Sequence, residues 1–222
     1  MGYLYSVESR YDAAVEAYGK ALALRYDDAT AVRLGRAQRL SNQLDGARQT
    51  LEAVNAQSLD ADMRLLRLSE LATIADQEQR YTDEDALLQE ALTMRDTADL
   101  NFRLASLKRR TNQLPDAIRL YRKTVELEDS GSAQAALGYA LSDDGQFAAA
   151  AQAFEAALQK EEGLAPLYED LGYAYMHDSQ NGRAAEAFKR AIDNALAQAD
   201  AVDGDKDAAD KAYRLRKEVT KL

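Results

Sequence analysis

Large and small apolar residues recur along the chain with a step of four and then three positions. Ala14-x3-Tyr18-x2-Ala21 sets the pattern. It returns as Ala47-x3-Leu51-x2-Val54, Glu84-x3-Leu88-x2-Ala91, Ala117-x3-Tyr121-x2-Thr124, Ala150-x3-Phe154-x2-Ala157 and Ala184-x3-Phe188-x2-Ala191. Steps of four and three keep all three positions on one face of an α-helix. The spacing therefore predicts six amphipathic helices in one register. From one anchor to the next the separations are 33, 37, 33, 33 and 34 residues (14, 47, 84, 117, 150, 184).

About a dozen residues ahead of each segment stands a second pattern, a large residue followed by a small one. It reads Met1-Gly2, Leu34-Gly35, Leu71-Ala72, Leu104-Ala105, Leu137-Gly138 and Leu171-Gly172. A small side chain lets two helices approach closely, so each repeat predicts a pair of antiparallel helices. Asn112-Gln113, Asp143-Asp144-Gly145 and Ser179 to Gly182 supply turn residues between paired helices. Pro115 and Pro166 fall where a helix begins, where a missing N–H costs nothing.

This two-part pattern resembles the tetratricopeptide repeat, with its W-x2-L-G-x2-Y, A-x3-F and closing P. Tyr168-x2-Leu171-Gly172-x2-Tyr175 with Ala184-x3-Phe188 is the fullest match. The resemblance spans about residues 1–196 and implies an all-α, right-handed superhelical solenoid of helix hairpins. The third repeat departs from it. Glu84 replaces the anchor alanine and about three extra residues precede it, which should loosen or tilt that stack.

The expected organisation is six repeats over 1–196, the first with a truncated leading helix, an acidic linker at 197–207, and a capping helix at 208–222. Ala212, Leu215, Val219 and Leu222 form one stripe on that last helix. Because the pattern starts part-way through a repeat and no leader is visible, the chain is expected to be a fragment of a longer protein.

Composition narrows the function classes. The 222 residues include 28 basic and 38 acidic side chains, one His and no Cys. A net charge of -10 argues against duplex nucleic-acid binding, which relies on Lys and Arg neutralising phosphates. Without Cys there are no disulfides, thiolate metal sites or Cys nucleophiles. No stretch approaches the roughly 20 apolar residues of a membrane-spanning helix, so no membrane contact is expected. The chain is not expected to be an enzyme. His177 has no Ser or Cys partner in a recognisable motif, and phosphate-loop and dinucleotide fingerprints are missing. Asp203, Asp205 and Asp207 open like a calcium loop. Ala208 then stands where Gly is needed and Arg214 where the bidentate Glu belongs, so a solvated acidic linker is expected. No catalytic residue, metal or cofactor is expected.

In tetratricopeptide arrays the first helix of each pair lines a concave surface. The resemblance implies that Arg33, Arg36, Arg39, Phe102, Arg103, Arg109, Tyr139 and Tyr173 face it, with Glu70 and Asp76 partly neutralising the arginines. Guanidinium forks suit carboxylates and phosphates, and aromatic rings stack on sugars or flat groups. The Lys and Asn of the family's carboxylate clamp do not recur here.

Three C-terminal segments, Leu171 to Met176, Ala187 to Asp193 and Tyr213 to Leu222, are similar to the end of a periplasmic repeat array. They resemble bacteriophage adsorption protein A, and more loosely exopolysaccharide export proteins of the outer membrane. That resemblance implies a periplasmic scaffold that contacts a polysaccharide synthase or modifying enzyme. Two readings stay open beside it. One is an adaptor binding an extended peptide, an anionic one included, or a partner protein in its groove; the other is direct binding of polysaccharide.

Overall fold

A computed structural model describes residues 2–201 and 206–222. Among the described residues the chain is helical, without strands. It folds into two compact units, Met1–Asp96 and Thr97–Leu222. The first holds α1 (Gly2–Val7), α2 (Tyr11–Leu24), α3 (Asp28–Leu40), α4 (Leu44–Ala53), α5 (Ala61–Gln77) and α6 (Tyr81–Met94). The second holds α7 (Ala98–Arg110), α8 (Leu114–Leu127), α9 (Gly131–Asp143), α10 (Phe147–Lys160), α11 (Leu167–His177), α12 (Asn181–Ala201) and α13 (Lys206–Val219). Within each unit every helix packs on the next, giving hairpins in series, and α13 packs on α12.

Local chemistry separates the two kinds of connection. Four of the helices that open a pair, α3, α5, α7 and α9, carry side-chain caps. Asp27, Asp60, Thr97 and Ser130 accept from the N–H three residues on, satisfying a donor the helix leaves orphaned. Inside each pair the chain reverses through one left-handed residue: Ser9, Asn42, Gln79, Asn112, Gly145 or Ser179. The next N–H then bonds back five residues, as Gln43 to the Gln38 carbonyl at 2.8 Å and Gln146 to Leu141 at 2.8 Å. This is the Schellman closure of a helix C-terminus, used at all six reversals. Only Gly145 adopts it without a Cβ penalty. Asn112, Gly145 and Ser179 lie in the turns expected from sequence.

The core is built by the small residue and the large one sixteen positions later (2 to 18, 35 to 51, 138 to 154, 172 to 188). A Cβ placed on Gly2 would lie 2.7 Å from the Tyr18 ring, and one on Gly35 2.5 Å from Leu51. On Gly138 and Gly172 it would lie 2.6 Å from the rings of Phe154 and Phe188. The large side chain thus occupies the space a Cβ would take at these glycines, and the two backbones close over it. Ala72 and Ala105 hold the same register in the remaining hairpins and are fully buried. Tyr18, Leu51, Leu88, Tyr121, Phe154 and Phe188 are all buried, as the sequence pattern requires.

The third repeat keeps its core despite the insertion. Glu84 is buried in the anchor register. The extra residues form a 3-10 turn, Ala56–Ser58, and lengthen α5 to 17 residues against 13 in α3, α7 and α9. Asp28, in the first turn of α3, ties the connection down. It accepts from the Asn55 N–H at 3.1 Å and the Ser58 hydroxyl at 2.5 Å. Leu59 joins Val32, Leu51, Val54, Leu71 and Ile74 in one cluster that spans the insertion, so the stack is not loosened there.

Near the C-terminus, α12 continues through Ala201. Residues 197–201, expected in the linker, are therefore helical. Residues 202–205, with Asp203 and Asp205, lie outside the described residues, and Asp207 is exposed in the first turn of α13. On α13 Ala208, Ala212 and Leu215 are buried, with Val219 and, just beyond it, Leu222 half-buried.

Truncating Phe154 to Ala should cost about 3–5 kcal/mol in urea melting. Gly138→Ala should cost about 1–3 kcal/mol by overpacking the same contact. In Gly138→Ala/Phe154→Leu the two losses should fall short of their sum, because the smaller side chain makes room for the new Cβ. Strict additivity would mean that the glycine and the ring do not share one space.

Candidate functional site

On the opening helices the residue after each small one borders the hairpin core: Tyr3, Arg36, Thr73, Ser106, Tyr139 and Tyr173. These share one position in the repeat and differ in chemistry. Residues two before and four after the small residue flank them, which places Arg33, Glu70, Arg103, Asp170, Arg39 and Arg109 on the same side.

In the first unit Arg36 and Arg39 converge on Glu70 from α5. Glu70 is 6% exposed. Arg39 Nε donates to its Oε2, and Arg36 Nε stands 3.4 Å from its Oε1. A buried carboxylate requires such partners, since desolvating it alone is costly. The pairing expected for Glu70 is therefore present. Arg39 is largely consumed by it, whereas the Arg36 side chain remains 54% exposed. Arg33 is half-buried and makes no ion pair or hydrogen bond among the described residues. Beside Arg33 and Arg36 opens a cavity of about 510 Å³ between α1, α2, α3 and α5, walled by Tyr3, Val7, Tyr11 and Met63.

In the second unit the expected residues form a polar chain across α7, α9 and α11. Arg109 Nε donates to Asp143 Oδ2 at 2.5 Å, and its guanidinium lies 5.5 Å from the centre of the Tyr139 ring. The Tyr139 hydroxyl donates to Asp170 Oδ2 at 2.8 Å. Beyond it, Lys211 of α13 pairs with Glu169 at 2.7 Å. Burial raises the Asp170 carboxyl above the usual aspartate value. The Tyr139 hydrogen bond opposes this, the Glu169 charge adds to it and Lys211 opposes it. Tyr139 is raised too, by burial first and then by its bond to Asp170.

Three aromatics on this face brace the core rings edge-on. Phe102 meets Tyr121 at 5.5 Å, Tyr139 meets Phe154 at 5.1 Å and Tyr173 meets Phe188 at 5.1 Å between ring centres. Ser106 bonds the Tyr121 hydroxyl at 2.9 Å. Arg103 is half-buried and engaged with a partner. The expected site residues thus fall in both units, and several are committed to neighbouring helices. Tyr139 in particular has its hydroxyl on Asp170 and a guanidinium over its ring.

Sequence reasoning missed Tyr3, Tyr11, Met63 and the polar partners Asp170 and Lys211. Counting from the small residue would have found Tyr3 and Asp170. Met63 stands on the extra turn of α5, outside the repeat register. His177, at the end of α11, is exposed and stacks on Phe147 with ring centres 4.6 Å apart. Among the described residues no group of three His, Cys, Asp or Glu could hold a metal ion, and no helix is long and apolar enough to cross a membrane.

The sequence matches no protein-family model and no curated protein. Solved structures do resemble it. YrrB, described as a TPR protein with an unusual peptide-binding site, superposes with a TM-score of 0.73 at 19% identity, covering 92% of this chain and 100% of its own. The C-terminal part of a TPR repeat-containing protein from Cytophaga hutchinsonii gives a TM-score of 0.76 at 17% identity, covering 96% and 92%. MamA from Desulfovibrio magneticus gives 0.66 at 17% identity, covering 74% and 93%. The fold is that of the tetratricopeptide repeat, an all-α array of helix hairpins.

Folding disfavours the ionised form of Asp170, so its penalty is full at neutral pH and is relieved as pH falls through the raised value. Asp170→Asn removes that contribution. The stability of the unaltered protein relative to Asp170→Asn should therefore rise as the solution is acidified from pH 7. Urea melts of both proteins across this range test it; a difference that falls with acidification would contradict the assignment.

Proposed function

We propose that the chain is a non-catalytic scaffold that docks a partner protein on the opening-helix face of its hairpins. One observation carries this reading. Tyr3, Arg36, Thr73, Ser106, Tyr139 and Tyr173 occupy one structural position with aromatic, basic or hydroxyl side chains, while the large residues Tyr18, Leu51, Leu88, Tyr121, Phe154 and Phe188 of the same hairpins all stay buried. Such a position varies in chemistry from hairpin to hairpin while the buried register is kept, which suits recognition. The peptide-binding site ascribed to YrrB supports a peptide or protein as the occupant.

More narrowly, we propose that this scaffold is the periplasmic region of an outer-membrane protein for exopolysaccharide export or phage adsorption, where it contacts a polysaccharide synthase or modifying enzyme. The support is the resemblance carried by Leu171 to Met176, Ala187 to Asp193 and Tyr213 to Leu222. Direct polysaccharide binding is the less favoured reading, because Tyr139, a candidate stacking platform, already has Arg109 over its ring and Asp170 on its hydroxyl.

Photo-crosslinking from position 36 or 173 in the native host should give a discrete protein adduct. In binding assays with the captured protein, Arg36→Ala and Tyr173→Ala should abolish the interaction. Glycan binding by calorimetry that vanishes in the same variants would assign the face to polysaccharide instead. Recovery of the full-length protein in the cytosol on fractionation would overturn the export reading alone.

A further inference from the structure

The C-terminal segment carries the opposite charge to the chain as a whole. Residues 206–222 hold six basic and three acidic side chains, in a chain with 28 basic and 38 acidic. Arg214, Arg216, Lys217 and Lys221 crowd into the final nine residues, with Glu218 as the one acid among them. Lys221 pairs with Glu218 at 2.6 Å, and Lys211 with Glu169 of α11 at 2.7 Å. Arg214, Arg216 and Lys217 are exposed and make no ion pair or hydrogen bond among the described residues. The helix dipole favours cations near a C-terminus, and a terminal cap needs a polar outer face. Those demands account for charge on α13. They do not account for the apolar surface beside it.

Where α13 meets α12 there is a cleft of about 440 Å³, lined by Lys189, Ile192, Asp193, Arg216, Val219 and Thr220. Ile192 is buried and Val219 half-buried, whereas the other four are exposed, so the cleft has an aliphatic floor and a polar rim. Lys189, like Arg216, makes no ion pair or hydrogen bond among the described residues. Tyr213, Arg216, Lys217 and Thr220 follow one another at helical spacing and form a stripe on α13 that runs into the cleft. Tyr213 is 60% exposed, and Lys217 Nζ lies 4.5 Å from the centre of its ring. The cleft is built by the closing helix α12 and the cap; none of its lining residues belongs to an opening helix.

We propose that the α12–α13 cleft is a second docking surface, and that its occupant is an acidic segment of a partner protein that carries an aliphatic side chain. The aliphatic group covers Ile192 and Val219. Carboxylates beside it in the segment meet Arg216, Lys189 and Lys217, whose donors are free. Charge complementarity selects an acidic segment over a basic one, which the unpaired cations would repel. The aliphatic floor selects a protein over a nucleic acid or lipid headgroups. A phosphate surface would engage the cations and leave Ile192 and Val219 uncovered, and the 38 acidic side chains of the chain repel an extended polyanion beyond the patch. The surface lies apart from the opening-helix face, so the inference goes beyond the scaffold reading and does not depend on it.

The probe is the fluorescein-labelled, C-terminally amidated peptide Gly-Glu-Glu-Leu-Glu-Asp-Leu-Glu-Gly, titrated with the full chain by fluorescence anisotropy. Saturable binding is expected, weakening with added salt. Replacing the acidic residues of the peptide by Gln and Asn should weaken binding at least about tenfold, and Arg216→Gln/Lys217→Gln in the protein about fivefold. Replacing both peptide leucines by Ser should weaken it while leaving its salt dependence in place. Thr220→Glu, which puts a carboxylate on the exposed rim, should abolish binding with helix content unchanged by circular dichroism. Arg36→Gln, on the opening-helix face, should bind normally. No binding, equal binding of the uncharged or leucine-free peptide, or binding lost in Arg36→Gln and kept in Thr220→Glu would overturn the proposal. Equal binding of a single-stranded oligonucleotide or of phosphatidylglycerol vesicles through Arg216 and Lys217 would also overturn it, leaving a general anion surface. Self-association abolished by Thr220→Glu would assign the cleft to a second copy instead. If this peptide fails while a protein still crosslinks from position 36, the inference falls and the scaffold reading stands.

Discussion

The fold depends on a small residue that leaves room for a large one on the returning helix. Where Gly138 and Gly172 lie, a methyl group would stand 2.6 Å from an aromatic carbon, so the missing side chain is the condition for the hairpin to close. The large residue is consequently shielded on both sides; Phe154 is 1% exposed and Phe188 fully buried. Such close packing leaves little tolerance for added or removed volume. The remaining features of each hairpin follow from holding that contact in place: the left-handed reversal sets the register of the returning helix, and the side-chain caps fix where the opening helix begins.

Repetition of one contact leaves the adjoining face of the opening helices only partly committed to packing. It is spent on polar links between neighbouring hairpins and on exposed chemistry. The polar links are specific. Glu70 holds Arg36 and Arg39, Asp143 holds Arg109, Asp170 holds the Tyr139 hydroxyl and Glu169 holds Lys211. Each joins one opening helix to the next or, at the end, to the cap. A buried carboxylate such as Glu70 is tolerable only while its partners stay. Arg33, which makes no ion pair or hydrogen bond among the described residues, remains unspent on that face.

The third repeat shows how an irregularity becomes a feature. Its 37-residue spacing reads as a defect in the array. In three dimensions the added residues are absorbed by a 3-10 turn tied to Asp28 and by one more turn of α5. Leu59 restores the core at one end of the insertion, and Met63 projects toward the cavity on α3 at the other. A longer element was built without loss of packing, and its surplus faces outward.

Much of this was legible in the sequence, because steps of four and three encode a helical face directly. Tyr18, Leu51, Tyr121, Phe154 and Phe188 could be placed in the core, and Asn112, Gly145 and Ser179 in turns, without coordinates. The arginines and tyrosines of the opening helices could be assigned to one face by the same count. Their availability could not be read, since it depends on residues about thirty positions away. Arg39 is consumed by Glu70 and Tyr139 by Asp170, whereas Arg33 is left unmatched. Nor could the path of the insertion be read, because a spacing counts residues and does not say whether they extend a helix or a loop. Periodicity fixed which side chains face inward or outward; only the packing of one helix against the next decided which outward charges are already neutralised.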